Sequence, residues 1–373
     1  MEEKNTPIQQ SSDQNAKHQI SETADSPLTD KSTTNLERRK MLSTLLVGGA
    51  AAVAATSVLV SREEKVLAAK LTKQDDAAQT AAPQDVEADG LSGASRKYTD
   101  WAKFEDLKKP MSRAKIGDVT LSHMFLGGNL IGGWAHARDL IYVSDLVKAY
   151  HTREKIYATF QMAEACGINA YLGHHSHIGI MTDYWDKKSG TLQYIADCSD
   201  LDGALRCAEL GAAACYIQGE AADRLVREGK FDDIAKFLEV VREEGLPVGI
   251  GGHLIETIRA CVDRDLMPDF WMKTIHHDRY WSRRADGPEH DNVFCRKPQE
   301  TIDFMNSLPQ PWIGFKVLAA GAIRPNDGFR FAFEAGADFL CVGMYDFQIV
   351  DNVNICMDTL DSELNRKRPW CNV

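Results

Sequence analysis

From Gly167 onward the chain repeats one pattern: text with apolar residues at helical spacing ends at a glycine, and a short uninterrupted apolar run follows. Gly167 precedes the run 168–172, Gly211 precedes 212–217, Gly245 precedes 246–250, and Gly336 precedes 337–342. A glycine can take the left-handed conformation that closes a helix, and an apolar run this short, with turn signals at its edges, is a buried strand. The stretch 312–348 is the most complete unit. Residues 313–318 form a strand, Phe329, Phe331, Ala332 and Phe333 mark one face of a helix, and 337–343 form the next strand. Parallel strands require such a crossover. The same spacing predicts eight strands near 123–127, 168–172, 192–197, 213–218, 247–251, 270–275, 313–318 and 338–343, with helices between them. Repeated βα units in this number favour an α/β fold closed as a (β/α)₈ TIM barrel over an open doubly wound sheet.

The pattern is absent from the first quarter of the chain. Residues 1–40 are rich in Ser, Thr, Gln and Asp and hold too few large apolar side chains to offset their ordering entropy, which predicts a disordered lead. Glu37-Arg38-Arg39-Lys40 then precedes an apolar, Ala- and Gly-rich run at 41–60, long enough to cross a bilayer as an anchor. This arrangement resembles a twin-arginine export signal, with Val66-Leu67-Ala68 offering small residues suited to cleavage. The resemblance implies handling by export machinery, a periplasmic or envelope-associated location, and membrane contact through this segment alone. Residues 61–97 read as a flexible linker and 98–373 as the barrel domain.

Composition narrows the function classes. The 373 residues are 44% hydrophobic and 26% charged, enough for a full core, and the net charge of −11 argues against a nucleic-acid partner. The nine cysteines are scattered, form no C-x-x-C, and include Cys166, Cys207, Cys215 and Cys341 in apolar elements, so buried small hydrophobes are expected rather than a disulfide framework.

A barrel builds its chemistry at the carboxyl ends of its strands. Those positions hold Asn129, His136 and Arg138 after the first strand, His174, His175 and His177 after the second, Asp197 at the third, and Gln218 with Glu220 at the fourth. His253 follows the fifth, His276, His277 and Trp281 the sixth, Lys316 and Gly321 the seventh, and Asp346 the eighth. Seven of the eleven histidines fall there. The expectation is a divalent transition metal held by His175, His177, His253 and His276, with Glu220 or Asp346 as base, His277 in a catalytic role and Lys316 stabilising a developing oxyanion. H-x-H at 175–177, two later strand-end histidines and a final Asp resemble the set used by amidohydrolase-type barrels. Asn129, His136, Arg138, Gln218, Trp281 and Gly321 are the expected substrate contacts.

A second reading needs no metal. Strand alternation predicts that Gly314, Lys316 and Leu318 share the barrel-facing side, which would aim a lysine into the mouth as a Schiff-base nucleophile. Residues 269–274 and 315–321 resemble the strand-six and strand-seven segments of class I deoxyribose-phosphate-type aldolases, which implies a nucleophile at Lys273 with Lys316 nearby. A salt bridge from Lys316 to Asp346 or Glu220 is the plain structural alternative. Residues 320–323 and 342–344 resemble the phosphate-holding turns of aldolase-type barrels, and Trp134, Trp185, Trp271 and Trp281 beside the rim suit stacking on a sugar. The first strand and its helix resemble the opening of aldo-keto reductases, but Tyr171-Leu172-Gly173-His174 lacks that family's strand-two Asp, which sets a reductase aside. The domain as a whole resembles an exported TIM-barrel family of environmental bacteria without an assigned reaction. The expected function is an exported enzyme acting on a small polar, carbohydrate-derived molecule by metal-assisted hydrolysis, lyase or isomerase chemistry. The alternatives are a Schiff-base lyase using Lys316 or Lys273, and a non-catalytic binding barrel tethered at the envelope.

Overall fold

The computed structural model describes residues 101–136, 140–280, 282–283 and 290–371. The lead, the arginine pair, the apolar run and the whole of the linker lie outside the described residues, as do Arg138 and Trp281. No helix among the described residues is long and apolar enough to cross a membrane.

Strands β1 (Arg113–Ile116) and β2 (Val119–Ser122) form an antiparallel hairpin, turned at Gly117 with φ of +57°. Eight parallel strands follow: β3 (Met124–Gly127), β4 (Ala170–His174), β5 (Gln193–Cys198), β6 (Ala214–Ile217), β7 (Val248–Gly252), β8 (Phe270–Thr274), β9 (Trp312–Phe315) and β10 (Phe339–Gly343). They pair in chain order, and β10 closes on β3, so the sheet is the expected barrel. Helices α1 (Val143–Tyr150) and α2 (Arg153–Ala165) join β3 to β4, and α3 (Ile178–Lys188) and α4 (Leu201–Glu209) fill the next two crossovers. Helices α5 (Gly219–Arg227) and α6 (Phe231–Glu243) join β6 to β7. The last crossovers and the C-terminal turn use α7 (Ile255–Val262), α8 (Pro298–Met305), α9 (Pro325–Glu334) and α10 (Ile349–Asp361). Local chemistry sets their starts. Thr152 accepts a bond from the Lys155 N–H at 3.3 Å to begin α2, Asp200 accepts one from Gly203 at 2.7 Å to begin α4, and Pro298 and Pro325 occupy first turns.

Alternation sorts each strand between two cores. Phe125, Leu172, Ile195, Tyr216, Phe270, Met272, Ile313 and Phe339 point to the barrel axis and cluster with Ala114, Ile116 and Leu121 of the hairpin. Tyr171, Cys215, Ile250, Trp271 and Leu340 face the helices. The hairpin, absent from the expected element list, therefore plugs the amino-terminal end of the barrel and leaves the opposite end as the mouth. Its strands are four residues each with one apolar face, too short a period-two signal to stand out. Gly249 is an inward position of a different kind: a Cβ there would lie 2.5 Å from the Phe270 ring and 2.8 Å from Tyr216 Cβ, so only glycine leaves room for both rings.

The bottom is locked by charge. Asp338, fully buried just before β10, accepts bonds from Arg366 at 2.7 Å and Arg368 at 2.6 Å, and also from the Trp312 N–H at 3.1 Å. Removing the carboxylate strands two desolvated guanidinium groups, which typically costs about 3–5 kcal/mol. Asp338→Ala is expected to lose stability on that scale in urea unfolding. Asp358→Ala, which breaks the exposed pair with Lys108, should leave the midpoint within error. Equal effects would show that the buried cluster is not the clamp.

Candidate active site

The parity that puts Ile195 on the axis also puts Asp197, two residues on, at the top of the barrel interior, with its Cα in register with Tyr216. It lines a cavity of about 410 Å³ at the mouth together with Tyr216, Gln218, Glu220, His253 and Lys316. Its Oδ1 is buried without a hydrogen-bond partner. Burial pushes the carboxyl up from 3.8 to about 7, against donors on Tyr216 and Gln218. Near neutral pH this acid is therefore divided between its two forms, the condition for moving protons in either direction.

Lys316 reaches the same cavity by breaking the strand rule. Ile313 and Phe315 are the inward residues of β9, so continued alternation would send Lys316 outward beside Gly314. The expected orientation within the strand was thus the wrong way round. Lys316 instead adopts a φ of +57°, strand pairing stops at Phe315, and a tight turn through Ala319, Ala320 and Gly321, all with positive φ, follows. A left-handed conformation is costly for a side chain other than glycine and is retained where the surroundings enforce it. It swings the amine into the mouth, 3.3 Å from His136 Nε2 and 4.0 Å from the centroid of the Phe294 ring.

The expected bridge from Lys316 to Asp346 or Glu220 is not formed. Burial lowers the amine from 10.5 to about 8, opposed by the more distant charges of Asp291, Glu220 and Asp223. His136 Nδ1 lies 2.9 Å from Asp291 Oδ1, so the ring N–H donates to that carboxylate and the Nε2 lone pair faces the lysine. Burial, then the Lys316 charge, lowers the His136 pKa and keeps the ring a neutral acceptor.

His253 is oriented in the same manner. Asp223 Oδ2 accepts from its Nδ1 at 3.1 Å and from its backbone N–H at 3.2 Å, while Asp223 Oδ1 accepts from Thr257 at 2.6 Å. With Nδ1 committed to the carboxylate, Nε2 is the nitrogen left free to take a proton.

The structure brings together Asn129, His136, Gln218, Glu220, His253 and Lys316 of the expected site, and Gly321 lines an adjoining recess. It disperses the others. Residues 175–177 form a 3₁₀ turn rather than an extended segment, so the two rings of H-x-H diverge. His175 packs against α4, where a Cβ on Gly203 would overlap its ring, and its Nε2 meets Ser199 at 3.3 Å. His177 is buried against the Tyr171 hydroxyl at 2.7 Å, and burial lowers it to about 4. His174 is the member of that run that lines the cavity.

His276 is also buried and lowered to about 4 by desolvation. Its Nε2 accepts from the Cys295 N–H at 2.9 Å, and its Nδ1 donates to the His277 carbonyl at 2.8 Å, so neither nitrogen is open to a metal. His277 lines a separate surface depression with Arg279 and Asp327. Asp346 lies outside the cavity, bonded to Tyr150 and to Lys155 at 3.0 Å. The four histidines expected to hold a metal do not meet. Among the described residues, no group of three or more His, Cys, Asp or Glu side chains is placed to hold an ion.

Lys273, outward like Trp271 on β8, donates to the carbonyls of His253 at 2.6 Å and Thr274 at 3.0 Å, behind the barrel wall. Burial lowers it to about 8, but it lines neither cavity at the mouth. Trp271 and Trp185 are held the same way, by Gln310 and the Leu192 carbonyl, and Trp134 alone of the described rim set lines the mouth.

Asp223, Asp291 and Phe294 were not expected at the site. Asp291 and Phe294 come from the long connection between β8 and α8, which has no periodicity to read. Asp223 stands three residues after Glu220 on α5, one helical turn behind the strand end, which is a usable signal.

No family model and no curated protein matches the chain. Solved structures that resemble it include a proposed aldo-keto reductase from Pseudomonas aeruginosa, at 15% identity and a TM-score of 0.49, covering 68% of this chain and 98% of that one. A truncated 3-deoxy-D-arabino-heptulosonate 7-phosphate synthase from Thermotoga maritima matches at 13% identity and 0.41, covering 68% and 93%. An (S)-mandelate dehydrogenase mutant matches at 11% and 0.42, covering 69% and 79%. At these identities and scores none of the three is an argument for what this chain does.

The raised Asp197 carboxyl makes a pH prediction. The native state keeps a proton that the unfolded chain releases between 3.8 and about 7, so this group costs stability as pH rises through that window, and the cost levels off above it. The Asp197→Asn protein should therefore gain in melting temperature over the parent from pH 4 to about 7, with a constant gap beyond. A gap independent of pH would mean that Asp197 is ionised or solvated in the fold.

Proposed function

We propose that this chain is a barrel enzyme in which Lys316 forms a Schiff base with a small carbonyl compound and Asp197 supplies and recovers the protons. The observation that carries the proposal is the placement of a half-buried lysine, lowered to about 8 and bonded to a neutral histidine rather than a carboxylate, in one cavity with a carboxyl raised to about 7. A lysine becomes a nucleophile by losing its proton, and His136, backed by Asp291, is positioned to accept it. The neutral amine attacks the carbonyl carbon and the C–N bond forms. The oxygen then leaves as water with one proton from the amine and one from Asp197, and the resulting iminium draws electrons from a neighbouring C–C or C–H bond. His253, held by Asp223, is a further base on the lining of the same cavity. A metal-dependent reaction gains no support from this arrangement, because the imidazoles it would use are directed to Tyr171, Ser199 and the Cys295 N–H instead.

Incubation of the protein with simple aldehydes and ketones in cyanoborohydride should leave a reduced adduct on Lys316, read by peptide mass spectrometry and absent from Lys316→Ala. Asp197→Asn should slow adduct formation roughly 10²- to 10⁴-fold, the usual contribution of general acid–base catalysis. The reaction needs Asp197 protonated and Lys316 neutral, so its rate should peak between about 7 and about 8. Adducts that map elsewhere, or persist in Lys316→Ala, would sink the proposal.

A further inference from the structure

The mouth is not uniformly polar. The polar cavity is continuous with a recess of about 390 Å³, and Asn129, Trp134, Asp197 and Lys316 line both. Away from that junction the recess is walled chiefly by Leu130, Leu140, Val143, Val147, Val317 and Leu318, with Tyr345 and Gln348 as the polar side chains on that part of the lining and the Gln348 Oε1 already accepting from the Tyr345 N–H at 3.0 Å. The charged side chains on its lining, Asp197 and Lys316, stand at the junction. Ala320, Gly321 and Gly343 also line it, but a phosphate held by these turns would lie against largely aliphatic walls, with Lys316 the one Lys or Arg on the lining among the described residues. Polyhydroxylated chains fit the recess poorly for the same reason, since Tyr345 and Gln348 could serve few of their hydroxyls and each one buried against the aliphatic wall without a partner costs free energy.

We infer that the substrate of the Lys316 site is an amphipathic carbonyl compound: the carbonyl stands at the junction between Lys316 and Asp197, a polar end occupies the cavity of His253 and Gln218, and an unbranched apolar tail fills the recess. This rests on the Schiff-base reading and replaces a sugar-like substrate with one that carries a hydrocarbon chain. Leu140 is 47% exposed and stands on the outer wall of the recess, so it can be changed without disturbing the core.

The test uses the purified protein and the straight-chain aldehydes from propanal to nonanal, trapped on Lys316 with cyanoborohydride, alongside the corresponding primary amides, which bind without forming an imine. The half-saturating concentration should fall about fourfold per methylene, the equivalent of ~0.8 kcal/mol, until the recess is full. Hydroxylated aldehydes of equal length should bind roughly tenfold more weakly or worse. Leu140→Glu, and independently Leu318→Asp, should flatten the chain-length dependence in both series. Adducts on Lys316 without chain-length dependence, or tighter binding of hydroxylated chains, would overturn the apolar tail and leave the lysine chemistry standing. Chain-length-dependent amide binding with no adduct on Lys316 would overturn the carbonyl assignment, and the Schiff-base reading with it.

Discussion

Closing a parallel sheet into a barrel imposes one rule on every strand: alternate residues face the axis, and the rest face the helices. That parity decides which of the many polar residues at the strand ends can act together. On β5 it aims Asp197 inward two residues beyond Ile195, and on β8 it sends Lys273 outward with Trp271. Gly249 shows how tightly the interior is filled below the mouth, since even a Cβ there would collide with the Phe270 ring and the Tyr216 Cβ. Lys316 is the exception, and its route into the mouth exists because the backbone leaves the strand conformation at that residue. The left-handed turn is the device by which a position of outward parity is made to serve the inside.

The charge states of the site follow from burial rather than from pairing. Asp197 and Lys316 line one cavity, yet the acid is raised and the amine lowered, both chiefly by desolvation. A close ion pair would shift them in the opposite senses. The same chain supplies the comparison. Lys155 and Asp346, 3.0 Å apart, show the paired pattern: the partner carboxylate raises the lysine, and Tyr150 and Lys155 hold the carboxyl below its ordinary value although burial opposes them. Asp346 is thus spent on structure at the edge of α2, whereas the unpaired groups in the mouth keep protons that can be exchanged near neutrality.

Much of the barrel could be read from period and punctuation. Glycines 167, 211, 245 and 336 each take a positive φ at the end of a helix, and all eight strands fall within a few residues of the expected runs. Those signals are local, set by backbone sterics and the length of apolar runs. The site was legible only in part, because residue type and strand-end position do not reveal direction. H-x-H projects two rings alike only if the segment stays extended, and here it coils into a 3₁₀ turn. The histidines at 276 and 277 satisfy backbone N–H groups in the long connection that follows β8, a use of imidazole that no spacing announces. Asp291 and Phe294 come from that same connection and meet Lys316 only through the fold.

Plugging one end of the barrel with the β1–β2 hairpin leaves the mouth as the approach to the interior, and the mouth has two unlike halves. On one side stand His253, Gln218 and Glu220, and on the other the aliphatic wall drawn from α1 and the turn at Val317 and Leu318. Lys316 and Asp197 stand on the boundary. A molecule with one polar and one apolar end would settle with its middle at that boundary, because neither end can exchange places without burying polar groups against aliphatic ones or leaving apolar surface in water. On the proposed chemistry this partition, rather than any single contact, brings the carbonyl carbon to the amine. The turn that frees Lys316 from strand parity also supplies Val317 and Leu318 to the apolar wall, so one backbone irregularity sets both the position of the proposed nucleophile and the side on which the proposed tail would lie.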